Sequence, residues 1–410
     1  MTCAAAPLPV TVPALSAAPS RDRERQGSAF LLLASVTVSF LAGSSAPTPL
    51  YAHYQAAWGF SAATVTAVFA SYAVVLLASL LVFGRLSDHL GRKPVIVAAA
   101  LLQVGAMAVF ATAAGVGALF AGRLVQGIAT GAAIAAVGAG MLDLDRERGT
   151  IANAVAPAFG TAAGAVLSGL MVRYLPHPTL LVYAVLAAVY LLQAAGAASM
   201  PEPGRTRPGA LASLRPQLGA RGAARDAVRL AAPMLVAGWA VAGFYASLGP
   251  ALVRQVFGLD PSLAGGLALF ALAGSAGVTV ALLRASSPER LNALGARALA
   301  LGMAAVLAAL VAGSPLAYFL ATVLAGVGFG AGFQGGVRSV LAVTGAAERG
   351  SVLSVVFAVA YLAMGLPAVG AGLAVASTGD LLDTALVFGG LVLVLASTAL
   401  RGHRLHHQPE

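Results

Sequence analysis

Gly84-Arg85-Leu86-Ser87-Asp88-His89-Leu90-Gly91-Arg92-Lys93-Pro94-Val95-Ile96 places three cations, an acid and two glycines between two long apolar runs. The runs on either side carry almost no charge, so this stretch reads as a short polar connection between two helices in an apolar solvent. Gly84 and Gly91 allow close backbone approach and a tight turn. Asp88 stands where it can cap a helix or pair with Arg92.

The whole chain fits that reading. Of 410 residues 59% are hydrophobic and only 9% charged, and the mean hydropathy is +0.89. So few charges cannot cover the surface of a water-soluble domain, which makes this a polytopic membrane protein. The net charge of +10 raises the question of nucleic acid, but the cations sit in short loops, where they set orientation rather than form a phosphate-binding face. Nucleic acid is therefore not an expected partner. Cys3 is the sole cysteine, which excludes an internal disulfide and any multi-cysteine metal site.

Apolar runs long enough to cross about 30 Å of hydrocarbon recur along the chain. They lie near residues 29–50, 62–83, 95–114, 118–142, 151–172 and 178–199, then near 231–253, 263–284, 294–312, 315–341, 350–375 and 381–400. The expected fold is an all-α membrane protein with twelve transmembrane helices in two pseudo-symmetric six-helix bundles, at 28–199 and 230–400. Residues 200–229, rich in proline and arginine, are the expected cytoplasmic linker. Residues 1–27, which end in Arg21, Arg23 and Arg25, and residues 401–410 are the expected tails, the first disordered. With the N-terminus inside, Arg85, Arg92, Lys93, Arg146, Arg148, Arg284, Arg290, Arg297, Arg338 and Arg349 all fall on the inner side. Only Arg173 and Arg254 fall outside, so both termini are expected in the cytoplasm of a cell inner membrane.

An internal repeat supports the two halves. Arg85 and Arg284, Gly127 and Gly326, Gly131 and Gly330, and the triplets at Glu147 and Glu348 each recur after about 200 residues. Two related bundles about a central axis can rock and expose a midplane site alternately.

Three stretches resemble the major facilitator superfamily (MFS) of transporters. The opening stretch, G-x-L-x-D-x-x-G-R-K-x-x-I, is similar to the family's loop between the second and third helices. The resemblance implies a gating role for Gly84, Asp88, Gly91, Arg92 and Lys93, with Asp88 close to Glu348–Ser354 when the protein is closed inside. His89 stands where many relatives carry arginine. In the fourth span, Arg123-x-x-Gln126-Gly127-x-x-x-Gly131 resembles a motif tied in the family to proton coupling. Arg123 and Gln126 share a helical face. Arg123 either couples or snorkels to the headgroups from the end of its span. In the fifth span Gly160, Gly164 and Ser168 recur every four positions as a small-residue packing face, and with Gly169 the stretch resembles the family's antiporter motif, a helix-packing motif at Gly160, Gly164 and Gly169. It departs from that motif at Ala165 and Ser168.

By resemblance, the first, fourth, seventh and tenth helices line the central path. Ser45, Trp239, Tyr245, Phe333 and Gln334 are the substrate-path candidates, suited to a small apolar or amphipathic molecule. Tyr51, Tyr54 and Trp58 are expected in an outer aromatic belt. No carboxylate lies within a span, which leaves Asp143, Asp88 or a network at Arg123 and Gln126 to couple protons. His403, His406 and His407 read as a solvated tail. A nucleotide-binding loop and any catalytic set are missing, so an enzyme is not expected, nor is a cofactor or metal. The expected function is transport by alternating access, with efflux by proton antiport as a monomer. The alternatives are an uptake or facilitated carrier, or a non-transporting sensor.

Overall fold

A computed structural model describes residues 20–405. Cys3 and the three tail histidines at 403, 406 and 407 lie outside what it describes of side chains, as does the greater part of the N-terminal tail. The helices are α1 Ser20–Ser45, α2 Pro47–Trp58, α3 Ala62–Phe83, α4 Ser87–Leu90, α5 Arg92–Ala111, α6 Val116–Leu144, α7 Arg146–Tyr174 and α8 Pro178–Ser199. After the linker come α9 Ala210–Ser213, α10 Gly222–Ser247, α11 Gly249–Phe257, α12 Pro261–Leu282, α13 Pro288–Val311, α14 Pro315–Ala342, α15 Arg349–Thr378 and α16 Leu381–Leu405. Twelve units are long and apolar enough to span a membrane, with α1 and α2 forming one of them.

Helix ends differ from hydropathy ends in an instructive way. Helix α1 begins at Ser20 and α10 at Gly222, both inside segments expected as tail and linker, and α16 runs on to Leu405. Hydropathy marks where lipid contact stops. A helix continues past that point as long as its backbone bonds are made, carrying arginines such as Arg225 and Arg229 out of the apolar layer.

The first and seventh spans are each broken at one place. Ala46 separates α1 from α2 just before Pro47, and Leu248 separates α10 from α11 just before Gly249-Pro250. Proline has no N–H, so the carbonyl four residues earlier loses its helical donor. Pro47 and Pro250 orphan the carbonyls of Gly43 and Ala246 in this way. A bare carbonyl in an apolar layer is costly, and both are taken by side chains from other helices. Gln126 Nε2 donates to Gly43 at 2.9 Å, and Thr48 Oγ1 donates to Ala246 at 2.8 Å.

Helices α7 and α12 stay in side-chain contact as far as Ala158 and Gly277, and the closest backbone contacts between the bundles lie toward the end opposite the arginine-rich loops. There Gly169 of α7 rests on the backbone of α12, where an added Cβ would come within 2.6 Å of the Ser262 carbonyl oxygen. Likewise a Cβ on Gly266 would come within 2.5 Å of the Ala165 carbonyl oxygen. In the other seam Gly372 of α15 packs on Thr66 of α3, and Gly365 on Ala70 and Ala73. The Thr48–Ala246 bond also crosses between the bundles. At the arginine-rich end, by contrast, Gly345 and Gly350 have open space where a side chain would stand.

Thr48→Val removes the cross-bundle donor while the Ala246 carbonyl stays without a backbone partner. The lost bond is worth about 1 kcal/mol, so the closed arrangement should lose roughly fivefold in population relative to its alternative. Distances between labels placed on α2 and α11 would show the shift.

Candidate functional site

Arg123 is the feature on which the first bundle is built. It lies in α6 and is fully buried, the largest such side chain among the described residues. Snorkelling is thereby excluded. Its Nε and Nη2 both donate to the Tyr51 hydroxyl, at 3.1 and 2.7 Å. Its Nη1 donates to the Ser44 carbonyl at 2.8 Å and to Gln126 Oε1 at 2.7 Å. The rings of Tyr51, Tyr72 and Phe110 stand 5.7, 5.2 and 5.9 Å from the guanidinium carbon. Every partner is neutral. Dipoles and ring faces hold the charge in place of a carboxylate, which suits a cation that must keep a fixed position in low dielectric.

Gln126 reads the break in the first span from the same side. Its amide oxygen accepts from Arg123, and its nitrogen occupies the Gly43 carbonyl freed by Pro47. Thus the proline-induced gap, the glutamine and the arginine form one hydrogen-bonded unit linking α1, α2 and α6. This corrects the expectation of an outer aromatic belt. Tyr51 and Tyr54 are each only 2% exposed, Tyr54 donates or accepts with Tyr183 at 3.3 Å, and Trp58 stacks on Tyr54 at 4.8 Å. Tyr51 and Tyr54 are thus inside the bundle rather than at its rim, while Trp58 is half-buried.

At the arginine-rich end Arg92 gathers the gating stretch. It forms an ion pair with Asp88, donates from Nη1 to Ser87 Oγ at 2.8 Å, and from Nε to Asp143 Oδ2 at 3.1 Å. Asp88 and Asp143, two residues far apart in sequence, are thus bridged by one guanidinium. Gly91 adopts φ +100, a conformation that excludes most side chains. The linker is laced onto this loop. Glu202 accepts from the backbone N–H groups of Arg92 and Lys93 at 2.6 and 3.1 Å, an N-terminal cap on α5 supplied from more than a hundred residues away. The Arg207 N–H donates to the Asp88 carbonyl at 3.0 Å, and His89 Nδ1 lies 3.0 Å from the carbonyls of both Arg207 and Pro208. Nothing in the sequence pointed to Glu202, because a cap at that distance has no local spacing.

The fifth-span glycines divide their work. Gly160 and Gly164 lie on the backbone of α1, at Val38 and Ala42, so they close a contact within the first bundle. Gly169 alone of the three closes the contact between bundles.

The substrate-path candidates are only partly brought together. Trp239 and Phe333 meet at 5.6 Å, joined by Phe329 at 5.6 Å and Tyr361 at 5.5 Å. The indole N–H of Trp239 is buried without a partner. Tyr245 is a neighbour in sequence but bonds Thr322 at 2.8 Å and stacks on Tyr318 inside the second bundle. Gln334 turns toward α12, with its nitrogen 3.4 Å from the Val280 carbonyl and its oxygen unpartnered. Ser45 is taken up by the Thr161 carbonyl at 2.8 Å, a contact between α1 and α7. Tyr361 and Tyr72 were missed. Each is a single polar ring in a span, the second or the eleventh, that the resemblance does not mark as path-lining.

Twelve spanning helices in two bundles, joined at one end and carrying a charged loop at the other, define a transporter architecture. The chain belongs to the Major Facilitator Superfamily, whose family model matches residues 32–368. The tetracycline resistance protein, class C, of Escherichia coli is 34% identical over 151 residues, which are 36% of this chain and 38% of that protein. Among solved structures, a bacterial homologue of the human lysosomal transporter Spinster, in an inward-facing and unoccupied conformation, is similar with a TM-score of 0.74 at 13% identity, over 94% of this chain and 99% of that one. The nucleoside transporter NupG gives 0.67 at 16% identity, over 91% and 98%. A peptide transporter bound to alafosfalin gives 0.70 at 18%, over 93% and 95%. At these identities the likeness is one of fold.

Proposed function

We propose that this chain exports small amphipathic molecules across a cell membrane by alternating access, in exchange for protons, with the arginine-rich face in the cytoplasm. The observation that carries the reading is the one-sided seam. Glycines bring the bundles into backbone contact at one end, while the Asp88–Arg92–Asp143 cluster sits at the other. In this arrangement the pathway is closed to the outside. In the alternate state, Asp88 engages the segment Glu348–Ser354 at the start of α15. Partial identity to a tetracycline resistance protein supports efflux over uptake. Trp239, Phe333 and their neighbours offer ring faces and one free indole donor to an amphipathic substrate.

Proton coupling then runs through Asp143. Every acidic side chain among the described residues lies near a helix end or in a connection. Asp143 is the acid that shares Arg92 with the gating loop. Protonating it releases Arg92 from one of its two carboxylates, which frees the Asp88 loop to move. Arg123 and Gln126 keep the first span in register with α6 while this happens.

Purified protein in vesicles tests the reading by substrate-induced proton flux across a panel of lipophilic cations, antibiotics and neutral metabolites. Asp143→Asn should retain substrate movement and lose the proton signal, whereas Asp88→Asn should slow both by about tenfold, the effect of a shift near 1.4 kcal/mol in the gating equilibrium. A pH change of the opposite sign would establish uptake. Full activity of Asp88→Asn would remove the gating role.

A further inference from the structure

We propose that the outer seam holds a small-anion site that forms only when the two bundles are closed at that end. A cavity of about 100 Å³ lies there, between the bundles. Tyr51 and Gln55 contribute from the first bundle, and Ser247, Arg254 and Gln255 from the second. Val65 and Leu381 supply an apolar wall. The cavity shares α2 and α10, through Tyr51 and Ser247, with the cross-bundle bond from Thr48 to Ala246.

The lining is one-sided in charge. Arg254 forms no ion pair among the described residues, and no Asp or Glu lines the cavity. Tyr51, which lines the cavity, also accepts two hydrogen bonds at its hydroxyl from buried Arg123. Gln55 gives one amide proton to the Phe60 carbonyl at 3.3 Å. The acids nearest in sequence are committed elsewhere. Asp260 accepts from the N–H groups of Ser262 and Leu263, and Asp380 from that of Asp383, each capping a helix. An arginine with no ion pair, on a lining without a carboxylate in a partly enclosed space, attracts an anion, and the apolar wall favours a carboxylate with a small hydrocarbon body.

Because both bundles supply the lining, an anion bound here stabilises the state closed at this end and slows its reopening. The site is distinct from the ring cluster at Trp239 and does not depend on which substrate that cluster takes.

The test uses full-length protein with Cys3→Ala and a reporter cysteine, Ala251→Cys, in the cavity wall. Maleimide labelling of the reporter is followed at constant ionic strength in chloride, acetate, benzoate or tetraethylammonium salts. At ten times its dissociation constant a bound anion should slow labelling about tenfold. Benzoate should act at lower concentration than acetate or chloride. Arg254→Gln should abolish the protection, and the parent protein's melting temperature should rise with benzoate but not in the Arg254→Gln variant. Equal protection by chloride and benzoate would overturn the carboxylate assignment in favour of a halide site. Protection by tetraethylammonium, protection unchanged by Arg254→Gln, or labelling and melting both insensitive to anions would overturn the site altogether.

Discussion

Arg123→Met is expected to abolish proton-coupled transport while leaving the fold nearly as stable as the parent. Methionine approximates the volume of the arginine stem without its charge, and burying a guanidinium among neutral partners is itself costly. What the substitution removes is the set of four donated bonds. Tyr51, the Ser44 carbonyl and Gln126 Oε1 would each lose a partner. Relief of the buried charge offsets those losses in stability. It does not restore the register between the broken first span and α6, on which movement depends. Arg123→Ala lacks the offsetting volume and should cost about 3 kcal/mol, mostly as a cavity. Thermal melting alongside vesicle transport separates the two effects. Normal transport by the methionine variant would show that the arginine serves packing alone.

A second large effect concerns two glycines of one helix with opposite consequences. Gly164→Val places a side chain against the backbone of Ala42 within the first bundle. Neither α1 nor α7 can withdraw without dismantling that bundle, so the variant should fail to fold or melt far below the parent. Gly169→Val pushes instead on Ser262 of the other bundle, across a seam that the transport cycle must open. It should fold and melt near the parent value, yet populate the arrangement open at the outer end. Labelling of an outer-seam cysteine should rise about tenfold or more, the response to a destabilisation of the closed state by 1.4 kcal/mol or beyond. If both variants fold and label alike, the division of the fifth span into internal and inter-bundle contacts is wrong.

The two glycines also show what spacing does and does not reveal. Gly160, Gly164 and Gly169 are visible as small residues of one helix, the first two on a shared face and Gly169 on another side. Their partners are not, because a helix face of small residues states only that something approaches closely. Likewise the substrate-path candidates were readable as a set, but of those five only Trp239 and Phe333 meet. Ser45, Tyr245 and Gln334 are turned away by bonds to Thr161, Thr322 and Val280. Rotation of each helix about its own axis settles which residues face one another, and that angle is set by packing against several neighbours at once.

Twelve spans and two halves were determined by the sequence alone, as was the membership implied by the loop at Gly84–Ile96. These depend on sums over neighbouring residues. Hydropathy over some twenty positions fixes a crossing, and a local pattern of glycine and charge fixes a turn. The tertiary structure alone decided where Arg123 ends, which carbonyls the prolines expose, and which side chains occupy them. Pro47 and Pro250 announce that Gly43 and Ala246 lack a helical donor. The donors that satisfy them, Gln126 and Thr48, come from separate helices, and in the second case from the other bundle. In an apolar layer an orphaned carbonyl must find a partner wherever the fold brings one, so the rule is local and its solution is not.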